Sequence, residues 1–354
     1  MPTPLAALAP FAPTAPAQLA RLGFTSVEQA IGAAQLATPQ LQAFLGGVNL
    51  ATLALPFLEI IPENIRTIIQ NAIYALGVPM APMTATYTPG AGLPAAPLTP
   101  AVKSLVPDMP PVRAQGNRPT CVAYSSLAAL EHNLKKHPAP FVFLFQLDDC
   151  SEQWLYFKCK KKDGNINPGT LVSNAYDSLA NDGSVPEFDW PYQSPGNPND
   201  PGTPLPPLGE SELSVIGGKI RIKEGRALNA KSVSDYKAAI DNGRAVTFWV
   251  PVFKSWFENQ WSSFLGEITM PVPGEQNPKG DAHAMCIVGY MDQPEFPEIG
   301  GGRFLVRNSW DAKWGLLSLW GDRVNLPSGY GTIPYAYITN FGQEAFIVAR
   351  GPFE

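Results

Sequence analysis

Gln115-Gly116-Asn117-Arg118-Pro119-Thr120-Cys121 is the stretch on which the reading of this chain turns. An apolar stripe at Ala123, Leu127, Leu130 and Leu134 follows the cysteine at helical spacing. Cys121 therefore opens a helix, where unpaired backbone N–H groups and the positive end of the dipole stabilise a thiolate. A buried structural cysteine at a helix start fits the same position equally well, so the choice rests on what lies downstream.

Two later segments make that choice. Asp281-Ala-His283 leads into the apolar run Ala284-Met-Cys-Ile-Val-Gly-Tyr290, which reads as a strand with His283 at the edge of the core. The other two histidines, His132 and His137, fall in Glu131-His-Asn-Leu-Lys-Lys-His137, read as a charged, solvated segment. Asn308 follows Phe304-Leu-Val-Arg at a strand end, before Ser309-Trp310. An amide there accepts a hydrogen bond from the far imidazole nitrogen and fixes the tautomer, while Trp310 would shield that bond. An imidazolium beside Cys121 would depress the thiol further and give a nucleophilic ion pair. Gln115, alone an ordinary turn glutamine, would join the Cys121 backbone N–H in an oxyanion hole.

Bulk properties narrow the classes. The 354 residues allow two domains, or one large domain with an extension. A composition 45% apolar and 16% charged suits a packed globular protein, and a net charge of −5 gives no reason to expect nucleic acid. Lys160-Lys161-Lys162, the one tight basic run, reads as a solvated turn. Four cysteines are too few for a disulfide scaffold and lack zinc spacing, so no metal or organic cofactor is called for. Cys150 and Cys159 read either as one short bridge or as two buried thiols. The start carries no basic residue before Arg21, so no secretory signal is read, which leaves the cytoplasm or another export route. In the most apolar window, Phe44 to Ile61, Pro56 and Glu59 argue for a packed helix over a membrane span.

Along the chain three textures follow one another. Residues 1–77 carry cap signals and a stripe at Ile65, Ile68, Ile69, Ala72, Ile73 and Leu76, predicting a small all-helical N-terminal region. Residues 78–105, rich in Pro, Ala and Thr, read as an extended linker or strap. Residues 106–354 read as an α+β domain, with strands expected at Ala245–Val250, His283–Tyr290, Arg303–Val306 and Ala345–Val348. A loop rich in Pro, Gly, Asn and Asp lies between Pro186 and Pro207, and there is no internal repeat.

Glutamine, cysteine, histidine and asparagine in this order and context resemble the papain-like cysteine peptidases from about Val106 to the C-terminus. Ser151-Glu152-Gln153, Asn167-Pro168-Gly169, Trp190-Pro191-Tyr192 and Trp314-Gly315 resemble further landmarks of that family. The ending Gly329-Tyr-Gly-Thr-Ile-Pro-Tyr-Ala-Tyr337 resembles its bacterial branch. The resemblance implies a helical lobe and a β-barrel-like lobe with a cleft between them. It implies Cys121, His283, Asn308 and Gln115 as catalytic groups and Gly169 as the residue whose backbone pairs with substrate. Val122, Arg118 and Asp311 depart from the family pattern, and Arg118 stands where a disulfide cysteine is usual.

The expected activity is peptide hydrolysis through an acyl-enzyme, with a peptide or protein as substrate. Residues 1–105 are expected to form a propeptide, acting as an intramolecular inhibitor that the strap carries through or near the cleft. A helical interaction module on a passive linker is the alternative. Two rival functions share the fold: a transpeptidase or amide ligase, in which an amine resolves the acyl-enzyme, and a non-catalytic binding protein.

Overall fold

The computed structural model describes residues 78–87, 101–138, 149–165, 167–193, 209–258, 265–312, 314–315, 323–324 and 326–354. The expected helices of residues 1–77, the middle of the strap and most of the 186–207 loop lie outside these residues.

Among the described residues, four helices make one lobe. Helix α1 (Cys121–Lys136) is buried along its length from Cys121 to Leu134, because it packs both on the sheet and on its neighbouring helices. Helix α2 (Glu152–Asp163) is capped by the Ser151 hydroxyl, which accepts from Trp154 N, and stopped by Gly164 at φ 62°. Helix α3 (Val172–Asn181) buries Val172, Ala175, Tyr176 and Leu179, one stripe of its surface. Helix α4 (Glu210–Gly217) closes the lobe.

The charge of Glu131-His-Asn misleads about its surroundings: Glu131, His132 and Asn133 are buried, and only the end of the segment, from Lys135 to His137, reaches solvent. Arg113 accounts for Glu131, pairing with it at 2.9 Å and with Glu152 and Asp149 at 2.7 Å each. The basic run at 160–162 forms the last turn of α2, with Lys161 and Lys162 exposed as expected and Lys160 buried. Cys150 and Cys159 are two buried, unbridged thiols, the second of the two readings.

The second lobe is a seven-stranded antiparallel sheet. It comprises β2 (Val102–Ser104), β3 (Glu224–Ala227), β4 (Val246–Pro251), β6 (Ala282–Asp292), β7 (Gly302–Arg307), β8 (Tyr330–Pro334) and β9 (Glu344–Arg350). Its main order is β3-β9-β4-β6-β7-β8. Helices α5 (Val233–Asp241), α6 (Ser255–Glu258) and α7 (Tyr335–Phe341) complete this part of the chain. All residues of β4, β6, β7 and β8 are buried, and the centres of β4, β6 and β7 read as apolar runs.

β6 is long enough to serve two partners on one side. Its first half pairs with β4, and its second half pairs with β2, Ser104 lying opposite Gly289. A β-carbon at Gly289 would stand 2.4 Å from the Lys103 carbonyl, so this crossing requires glycine. The sheet thus reaches back to Val102, four residues upstream of the boundary expected at 106. A separate two-stranded ribbon joins β1 (Met83–Thr84) of the strap to β5 (Gln276–Asn277). Among the described residues no helix is long and apolar enough to cross a membrane.

Candidate active site

Cys121 is the first residue of α1, and no side chain caps that helix start. The Thr120 hydroxyl instead lies 2.8 Å from the Tyr192 hydroxyl, which donates to the Gln115 carbonyl at 2.7 Å. Across the lobe boundary, the backbone N–H of Ala284 donates to Cys121 Sγ at 3.5 Å. The thiol therefore rests against the start of β6, one residue from His283.

His283 Nε2 lies 2.8 Å from Asn308 Oδ1. The same Oδ1 accepts from the Ser309 backbone N–H at 2.8 Å, and a backbone N–H can only donate. That fixes the amide orientation, so Nε2 must carry the proton and Nδ1 is the basic nitrogen of the neutral ring. Nδ1 is buried without a hydrogen-bond partner. Trp310 stacks on the imidazole with centroids 4.5 Å apart and planes 26° from parallel, as the shielding role requires. Trp314 packs edge-on against Trp310.

Burial pushes His283 down to about 4, and the Asn308 bond opposes this without overcoming it. The ring is neutral at pH 7 in this closed arrangement, which departs from the ion pair expected from sequence. Complete burial of both side chains is the cause: Cys121 and His283 are each 0% exposed.

Gln115 is locked from three sides. Its N–H donates to the Ser309 carbonyl at 2.9 Å, its Oε1 accepts from the Ser309 hydroxyl at 2.6 Å, and its Nε2 donates to the Arg118 carbonyl at 2.9 Å. Its neighbour Ala114 bridges Trp310. The loop before the cysteine and the segment bearing the asparagine are thus one hydrogen-bonded unit. Cys121, His283, Asn308, Gln115 and Trp310 all come together.

Gly169 has φ 81°, as its turn requires, but its N–H donates to the Tyr156 hydroxyl at 3.2 Å. Its carbonyl accepts from Lys160 Nζ at 3.1 Å. Both groups that would meet a substrate backbone are engaged inside the fold.

Sequence reading missed four supporting residues: Arg113, Glu131, Tyr192 and Ser309. The Trp-Pro-Tyr landmark pointed at Tyr192 without giving it a partner, and Ser309 stands within the Asn-Ser-Trp stretch. Nothing local marks Arg113 or Glu131.

Comparison with known proteins gives the family and the fold. Residues 103–318 match the family model described as papain family cysteine protease. An uncharacterized peptidase C1-like protein of Acanthamoeba polyphaga mimivirus is 32% identical over 201 residues, 54% of this chain and 55% of that protein. Cysteine proteinase 1 of Entamoeba histolytica is 27% identical over 208 residues, 58% and 57% of the two chains. The chain spans about half the length of the curated relatives it matches.

Among solved structures, xylellain, a cysteine protease from Xylella fastidiosa, superposes with a TM-score of 0.52 at 22% identity, covering 77% of this chain and 96% of that one. The clostridial cysteine protease Cwp84 after propeptide cleavage gives 0.51 at 20% identity, covering 70% and 56%. At such identities the likeness shows the papain-like fold, helical lobe and sheet lobe together. Viral and protozoan relatives stand beside these bacterial structures, so the match reaches the family and not its bacterial branch. With more than half its length under the family model, the chain belongs to the papain family of cysteine proteases.

Proposed function

We propose that the chain is a cysteine peptidase that cleaves peptide bonds through Cys121, His283 and Asn308, and that its own N-terminal region holds it in check. The observation that carries the catalytic part is the Asn308–His283 bond beneath Trp310, with Cys121 Sγ against the next backbone N–H.

Neutral His283 takes the thiol proton at Nδ1 as the Cys121 sulfur attacks the substrate carbonyl. The carbonyl oxygen becomes an oxyanion that accepts from the Cys121 backbone N–H and from Gln115 Nε2, an amide aimed in advance by Ser309 and Arg118. The imidazolium returns its proton to the leaving amine as the C–N bond breaks, leaving a thioester. His283 then draws a proton from water, whose oxygen attacks the thioester, and the carboxylic acid departs as the thiol is restored. Asn308 keeps the ring oriented through both half-reactions.

Support for the inhibitory part comes from the strap. Residues 78–87 lie along the segment that precedes His283: β1 pairs with β5, the Ala85 N–H donates to the Glu275 carbonyl, the Gly274 N–H donates to the Ala85 carbonyl, and Tyr87 donates to the Pro271 carbonyl. Val78 and Ala85 are buried there, and the reacting pair is closed to solvent.

The test compares the full chain, its Cys121→Ala variant and a chain beginning at Ala101, which retains β2. Each is incubated with an epoxysuccinyl inhibitor and weighed intact. One adduct on wild type and none on Cys121→Ala is expected, forming faster on the shorter chain. An adduct that persists in Cys121→Ala sinks the nucleophile assignment, and equal rates for long and short chains sink the inhibitory role.

A further inference from the structure

The end of α2 and the loop after it place Asp163, Asn165 and Asn167 at alternate positions and follow them with Gly169. This is the alternation by which short loops present side-chain and backbone oxygens to a cation. Pro168 stands where such loops carry their turn glycine. The position of the cation is nevertheless filled, by the chain itself. Lys160 Nζ lies 2.7 Å from Asp163 Oδ2, 2.7 Å from the Asn167 carbonyl, 3.1 Å from the Gly169 carbonyl and 3.4 Å from Asn165 Oδ1.

An ammonium has three protons, so four converging oxygens exceed what hydrogen bonding alone needs. The shell itself is braced. The Asn167 N–H donates to Asn165 Oδ1, while the Thr170 hydroxyl and the Asn174 amide both donate to Asp163 Oδ1. The Lys160 side chain is 1% exposed, so water does not compete. Calcium takes about six to eight oxygens at roughly 2.3–2.6 Å. Four oxygens at longer range with one carboxylate suit a larger, singly charged ion.

We propose that Lys160 is the resident cation of an oxygen cage, a positioning residue that sets the backbone of 167–169, and that without its ammonium the cage takes up a free monovalent cation of ammonium's size. The idea stands apart from the peptidase reading, because its test reads stability and labelling.

Thermal unfolding of the full-length wild type, Lys160→Ala and Lys160→Met is followed in choline, lithium, potassium and ammonium chlorides at equal ionic strength. Lys160→Ala should melt several degrees below wild type in choline or lithium and recover at least half of that loss in potassium or ammonium. Wild type and Lys160→Met, whose side chain refills the space, should be indifferent. Equal melting of Lys160→Ala in all four salts overturns the proposal, as does an equal response from Lys160→Met. If Lys160→Ala folds in none of them, acylation with acetic anhydride decides. Asp163→Asn should then speed labelling of Lys160 at least tenfold without changing Lys161, and an unchanged rate overturns the cage.

Discussion

Two side chains at the site carry distinguishable expectations. Asn308 raises the His283 pKa against the larger effect of burial, which holds it near 4. Protonation below that value removes the base, so kcat/KM should fall on its acid side near pH 4. Asn308→Ala deletes the hydrogen bond that opposes burial, so the acid limb should move lower still while kcat drops; a pH–rate profile of both proteins checks this. Gln115→Ala removes one oxyanion donor and should lower kcat by about 10²–10³ with KM little changed, read from steady-state kinetics. Cys121, His283, Asn308, Gln115 and Trp310 were legible through their order and combined context, since Cys121 or Gln115 alone reads equally as structural. Arg113 and Glu131 were not. Their burial arises from partners distant in the chain, and a charged residue read locally looks solvated.

At the scale of elements, burial raises Glu131 and Glu152 to about 7 each, with Arg113 opposing. One guanidinium faces three carboxylates, so this cluster retains a proton well above the ordinary carboxylate range. A folded-state pKa above the unfolded one gives stability that is complete below the unfolded value and fades as pH climbs through the folded one. The denaturation midpoint of wild type should therefore drop between about pH 5 and 8, and Glu131→Gln should flatten that drop. Urea titrations across this range read it directly. The sequence showed β4, β6, β7 and β9 to within two residues because buried strands are written as apolar runs. It did not show β1, β2, β3, β5 or β8, short strands that exist because of what they pair with.

For the whole molecule, the strap is the feature that connects regulation to fold. Gly280, at φ 68°, lies so close to it that an added β-carbon would stand 2.0 Å from the Met80 carbonyl. Gly280→Ala should loosen residues 78–87 and raise inhibitor labelling of Cys121 in the full chain, by more than any change in the chain that begins at Ala101. Equal effects in both would mean that the glycine serves β5 alone. Composition described this stretch as extended but could not tell a passive linker from a docked strand, since proline and alanine suit both.

The pairing of β2 with β6 joins residues that lie roughly 190 positions apart in the chain. At about 5–20 residues per second, a ribosome would finish β6 some 10–40 s after β2. Throughout that interval Val102–Ser104 has no strand to join, and the sheet cannot close. Refolding from denaturant meets the same obstacle as a long loop-closure entropy, the kind of separation that slows folding and prolongs exposure of apolar edges. The strand that carries the imidazole is thus also the one that brings β2 into the sheet, and newly made chains should leave that edge unpaired until it appears.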